Sequence, residues 1–188
     1  MSNYFDGIKE EFLELRDFIL KDLRILLESP VGGNYAAALL ITTACEVVGP
    51  LFYENNGERE FFKNYLVPKS WRSVAASIYD ALRNGLAHSF TPKTIVQING
   101  SSVEIGISWK EKPHFKYDPT EATVYINVRE LSRALERAFD DYEKELENRR
   151  DLCDLFRKRR EKKRIVDIKD STERQAWKRL IASQTIVT

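Results

Sequence analysis

A mainly α-helical protein with a small antiparallel β insertion is what this sequence predicts, and three observations carry the prediction. Apolar residues recur in steps of three and four through Ile8–Leu27, Ser70–Ser89 and Leu131–Phe156. Between the last two stretches the period falls to two on either side of Asn99-Gly100, a pair that tolerates the positive φ of a hairpin turn. The run Val31–Val48 is apolar almost all round, as the central helix of a helical core should be.

Each element can be justified in order. In the first helix Ile8, Phe12, Leu15, Phe18, Ile19, Leu23 and Leu26 follow helical spacing, and Ser29-Pro30-Val31-Gly32-Gly33 breaks it. Asn34 reads as the N-cap of the next helix, because its side chain can accept from an orphaned N–H. That helix covers Tyr35–Val48, with Gly49-Pro50 stopping or kinking it and Glu54–Glu58 forming a loop. A short helix covers Glu60–Leu66. Pro68 then precedes a helix over Ser70–Ser89, in which Val74, Ile78, Ala81, Leu82 and Leu86 keep the period. Thr94–Ile98 and Val103–Trp109 form the hairpin, Ala122–Val128 a third strand, and one long helix runs from Leu131 to Phe156. Asp170 and Glu173 read as a capping box for a last amphipathic helix bearing Ala176, Trp177, Leu180 and Ile181. Residues 1–164 are thus one helical domain with its β insertion at about 93–128, and residues 165–188 are a C-terminal appendage.

A chain of 188 residues can bury a self-sufficient core, and 43% apolar content excludes general disorder. Cys45 and Cys153 are too few for a disulfide framework or a four-cysteine zinc site, and Cys45 reads as a small buried side chain. The N-terminus mixes charges into its apolar residues, unlike a signal peptide. Val31–Val48 carries Asn34, Thr42, Thr43 and Glu46, which suits a buried helix rather than a bilayer span. A cytoplasmic protein without membrane contact is therefore expected. The net charge of +1 conceals a division, because Arg157, Lys158, Arg159, Arg160, Lys162, Lys163 and Arg164, with Glu161, place +6 in eight residues. Such a run either tracks a nucleic-acid backbone or is a solvated helix end.

Two histidines limit where histidine chemistry can lie, and His114 falls in a proline-flanked segment that reads as surface loop. His88 stands in Leu82-Arg83-Asn84-Gly85-Leu86-Ala87-His88-Ser89-Phe90, at the end of a helix. Asn84 lies one turn before His88 and can hydrogen-bond the ring, fixing its tautomer. Arg83 is about 140° round the helix from His88, yet its length lets a guanidinium reach towards the same ligand. Arginine binds phosphate bidentately and imidazole exchanges protons, a pairing suited to phosphoryl chemistry without a metal. Gly85 costs a helix about 1 kcal/mol relative to alanine, and close approach of a second helix, such as a two-fold partner's, would compensate. The alternative is a surface Arg–His pair facing the helix dipole. Glu46, in an otherwise apolar helix, either pairs with Arg83 or points to solvent. Trp71, Trp109 and Trp177 read as packing residues.

At these residues the chain resembles the HEPN superfamily, whose signature is an arginine, a polar residue and a histidine four to six positions on, here Arg83-Asn84 and His88. The helices before the motif, through ITTACEVVGPLFY and FFKNYL, are similar in order, and the resemblance covers roughly residues 8–150. It implies an up-and-down bundle of four or five helices that forms a homodimer through the motif helix. It also implies a metal-independent endoribonuclease of bacterial stress response or phage defence, with no cofactor, an RNA substrate and an antitoxin or other partner protein. His88 would then be the acid/base, Arg83 would steady the phosphate and Asn84 would orient the site, with Glu46 and Gly85 in support. Members without activity act as RNA- or protein-binding modules, which is the alternative reading. The β insertion and the appendage depart from the minimal bundle.

Overall fold

In the computed structural model the chain forms α1 (Ser2–Glu28), α2 (Asn34–Phe52), α3 (Gly57–Phe61), α4 (Ala75–Ser89), β1 (Ile95–Val96), β2 (Ser102–Ser108), β3 (Lys116–Asp118), β4 (Thr123–Asn127), α5 (Val128–Leu146), α6 (Arg150–Lys163) and α7 (Ser171–Gln184). The described residues are 2–29, 32–96, 100, 102–108, 113–163 and 170–184, with 2–6, 161–163 and 182–184 described as backbone alone. The expected strand residues Gln97, Ile98 and Trp109 and the expected turn residue Asn99 lie outside this set.

The apolar face of α1 places Ile8, Phe12, Ile19 and Leu23 in the core. Its polar side runs antiparallel to α5, with Arg16 bonded to Asp140 and Glu143 at 2.7 and 3.1 Å and Arg129 donating to the Leu27 carbonyl at 2.8 Å. Phe12 meets Phe139, Tyr142 and Phe156 edge-on, which ties α1, α5 and α6 together. The central helix α2 supplies Ala37, Ala38, Ile41, Ala44, Cys45, Val48 and Leu51 to this core. Among the described residues α2 is the one helix long and apolar enough to cross a membrane, and half of its apolar window is buried in the bundle.

Several expectations are corrected. Asn34 does not cap α2: Gly33, at φ 98°, takes that place, the Ala37 N–H donates to its carbonyl, and Asn34 Oδ1 is buried without a partner. Gly49-Pro50 does not stop α2, which continues to Phe52. Gly49 instead admits the chain at Gly57, since a Cβ at Gly49 would lie 2.4 Å from the Gly57 carbonyl oxygen. After α3 the chain makes a π-helical turn (Phe62–Leu66) and a 3₁₀ turn (Lys69–Val74) before α4, so only the later part of Ser70–Ser89 is α-helical. The long C-terminal helix is broken between Leu146 and Arg150, where the Asn148 side chain donates to the Lys144 carbonyl. That break folds Leu152, Cys153 and Phe156 back into the core.

The sheet is mixed and four-stranded, in the order β1-β2-β4-β3, where a three-stranded antiparallel one was expected. β2 and β4 run parallel, Glu104 opposite Thr123 and Ser108 opposite Asn127. The physical reason is β3, a three-residue strand in the proline-bearing loop that pairs antiparallel with β4 and so turns β4 into the direction of β2. Asn127 then caps α5, accepting from the N–H groups of Arg129 and Glu130. Fold class at the coarser level holds: a mainly helical protein with a small sheet inserted before α5.

Candidate functional site

Two contacts with the same offset set α2 and α4 side by side in one direction. The Tyr79 hydroxyl reaches the Thr42 carbonyl at 3.5 Å, and four residues on, Arg83 Nε donates to Glu46 Oε1 at 2.5 Å. A carboxylate in an apolar helix needs a partner, and Glu46 has Arg83. Arg83 Nη1 also donates to Asn84 Oδ1 at 3.3 Å. Both members of the ion pair keep about a third of their side-chain surface in solvent, 35% for Arg83 and 36% for Glu46. The hydrogen bond to Glu46, more than its charge, holds the guanidinium above the ordinary arginine value. Arg83 is therefore oriented but still reachable by a ligand.

His88 lies in the last turn of α4 and is exposed. The carboxamide oxygen of Asn84 faces Arg83, so its contact is with the arginine and not the ring-tethering bond expected from the four-residue spacing. The four residues Ala87–Phe90 are all exposed, and Phe90 leaves 75% of its surface in solvent at φ 54°.

Gly85 is explained by the chain itself. A Cβ there would lie 2.3 Å from the Thr91 carbonyl oxygen and 2.5 Å from the Lys93 nitrogen. Phe90 turns the backbone through the left-handed region, and the returning strand lies along α4, with Lys93 N–H donating to the Ala81 carbonyl at 2.9 Å. The expected close approach is thus intramolecular, and Gly85 gives no support to a partner helix. Pro92, just past a helix end, was the available signal for a sharp return.

Sequence reasoning also missed a second charged contact on α4. Arg59 on α3 forms a bidentate pair with Asp80, both oxygens at 3.0 Å from Nη2, clamping α3 to the helix that bears the motif. His114, expected on the surface, is half-buried, with Nδ1 enclosed and unpartnered, because Phe115 at φ 50° turns the loop inwards and is itself buried. Burial lowers its affinity for a proton, against smaller opposing effects of Glu130 and the Asn127 backbone.

The basic run is divided. Arg157 and Lys158 are exposed on α6, whereas Arg159 donates to the Glu54 carbonyl at 2.8 Å and Arg160 to Glu11 at 2.9 Å. Lys162 and Lys163 continue the helix as backbone, and Arg164 lies outside the described residues. Since Glu54 follows the C-terminal end of α2 and α4 runs in the direction of α2, the run and His88 lie towards the same end of the bundle. Among the described residues no three His, Cys, Asp or Glu side chains form a group that could hold a metal ion. Comparisons with protein-family models, curated proteins and solved structures give no match.

Proposed function

We propose that this chain is a HEPN-type, metal-independent endoribonuclease that acts in the cytoplasm as a homodimer through α4, in bacterial stress response or phage defence. One observation carries the reading: α4 holds a guanidinium oriented by Glu46 and Asn84, and one turn later an imidazole open to solvent. In this reading Arg83 pairs with the non-bridging phosphate oxygens of RNA. His88 takes the proton of the ribose 2′-hydroxyl, whose oxygen attacks the adjacent phosphorus. The bond to the 5′-oxygen breaks, that oxygen takes up a proton, and the products are a cyclic phosphate and a 5′-hydroxyl. Two copies facing each other through Ala87–Phe90 would supply one imidazole for each proton transfer. The exposed Arg157 and Lys158 add an electrostatic track for the RNA at that end of the bundle.

The ion pair Arg83–Glu46 also favours a second reading, a non-catalytic HEPN-type module that binds RNA or protein, because Glu46 already occupies the guanidinium. An antitoxin or other partner protein covering Ala87–Phe90 suits either reading. The test is incubation of the purified chain with RNA in EDTA and mapping of product ends. The ribonuclease reading expects cyclic phosphate ends that disappear with His88→Ala. Binding without cleavage by the unaltered chain supports the module, and equal cleavage by both chains refutes the assignment of His88.

A further inference from the structure

The chain that returns after α4 runs along one flank of the motif helix and brings a lysine there. Phe90 reverses the backbone, and Thr91–Lys93 pass against Gly85, where a Cβ would lie 2.5 Å from the Lys93 nitrogen. The Lys93 N–H then donates to the Ala81 carbonyl at 2.9 Å, and β1 follows. Thr91, Lys93 and Thr94 are all exposed, so this stretch presents polar side chains to solvent.

Helix geometry fixes what stands beside it. At about 100° per residue, Ala81 and His88 are only about 20° apart round α4, and about 10.5 Å apart along it. Gly85 lies between them in height, about 60° round from His88, and Asn84 lies about 40° beyond His88 on that same flank. Arg83 is about 160° from Gly85, on the far side of the helix. The cations differ in their neighbours as well. Arg83 is held by Glu46, and Arg59 by Asp80, the acidic residue of α4. Lys93 is anchored by its backbone, and among the described residues its ammonium forms no ion pair.

We propose that Lys93 binds an RNA phosphate on the flank of α4 that carries His88, opposite the side held by Arg83. This rests on the reading of RNA as the ligand, and adds to it a contact outside the Arg83–His88 motif. An ammonium on a flexible four-carbon stem binds phosphate as a point charge. Beside His88, it sets positive charge where attack by the 2′-oxygen builds negative charge on the phosphate.

The test reads binding and cleavage separately. Binding is followed by fluorescence anisotropy on a single-stranded RNA with methylated 2′-hydroxyls, which keeps the phosphates and blocks cleavage. The slope of log affinity against log salt should become shallower by about 0.7 in Lys93→Ala, the loss of one phosphate contact on a single strand. Lys93→Arg should restore it. Thermal unfolding of Lys93→Ala should be unchanged, because the bond to Ala81 comes from the backbone N–H. A shifted slope in a chain that does not cleave unmethylated RNA supports Lys93 within the RNA-binding module. An unchanged slope, a slope that Lys93→Arg leaves shallow, or a shift matched by a fall in unfolding temperature overturns the proposal. Cleavage of unmethylated RNA in EDTA by the unaltered chain then leaves the ribonuclease reading standing, whereas an unaltered chain that neither binds nor cleaves overturns both.

Discussion

The inner side of α4 and its last turn obey different rules. On the inner side Ala75, Ile78, Tyr79, Leu82, Gly85 and Leu86 are buried, and at Gly85 the packing is backbone against backbone. In the last turn Ala87, His88, Ser89 and Phe90 are all exposed. Arg83 lies between these regimes, about a third exposed and fixed by two neighbours. The contrast separates a platform from the groups it presents. A change on the inner side should be read in stability, and one in the last turn in chemistry.

The largest effect expected is at the boundary. Arg83→Ala should lower RNA cleavage by about 10²–10³-fold, as loss of a charge-stabilising group does, while costing at most about 1 kcal/mol in urea unfolding. Arg83→Lys should not restore the rate, since an ammonium cannot bind phosphate bidentately. A large loss of stability in either variant would move Arg83 onto the platform.

Gly85→Ala tests the platform itself. Alanine is the better helix former by about 1 kcal/mol, yet the new Cβ must displace Thr91 and Lys93, and overpacking of this kind costs about 1–3 kcal/mol. Net destabilisation in urea is expected, and a more stable variant would show that the return after Phe90 yields freely.

Glu46→Gln sharpens the two functional readings. Stability should change by only about 0.2–1 kcal/mol, because both members of the pair keep about a third of their surface in solvent. If Glu46 orients Arg83 for catalysis, kcat/KM falls. If Glu46 only competes with phosphate, RNA binding tightens and cleavage stays absent.

These contrasts were unevenly legible in the sequence. The Arg83–Glu46 pair was among the open alternatives because an isolated carboxylate in an apolar helix has few other solutions. The core helices were legible from their period. The neighbour of Gly85 was not, since it depends on Phe90 turning the chain back along its own helix. β3 was missed because three residues are too short to show a period, and with it the parallel pairing of β2 and β4. The partners of Arg159 and Arg160 lie more than a hundred residues away in sequence, so the run looked uniformly available although Arg159 is held by the Glu54 carbonyl and Arg160 by Glu11.

The smallest effect concerns a residue far from α4 in role. Burial lowers the proton affinity of His114 in the folded chain below the ordinary histidine value of 6.5. The unfolded chain therefore binds more protons near that pH, and stability rises with pH there, by at most about 1.4 kcal/mol per pH unit. His114→Gln should flatten the dependence seen in thermal unfolding between pH 5 and 7, and an unchanged slope would assign it to other groups.

The separation of platform and chemistry is tested most directly by one paired measurement on His88→Ala, RNA cleavage in EDTA and thermal unfolding on the same preparation. The account predicts a loss of cleavage of about 10²–10⁴-fold with unfolding unchanged. Cleavage equal to that of the unaltered chain, or a loss matched by a fall in stability, would contradict it.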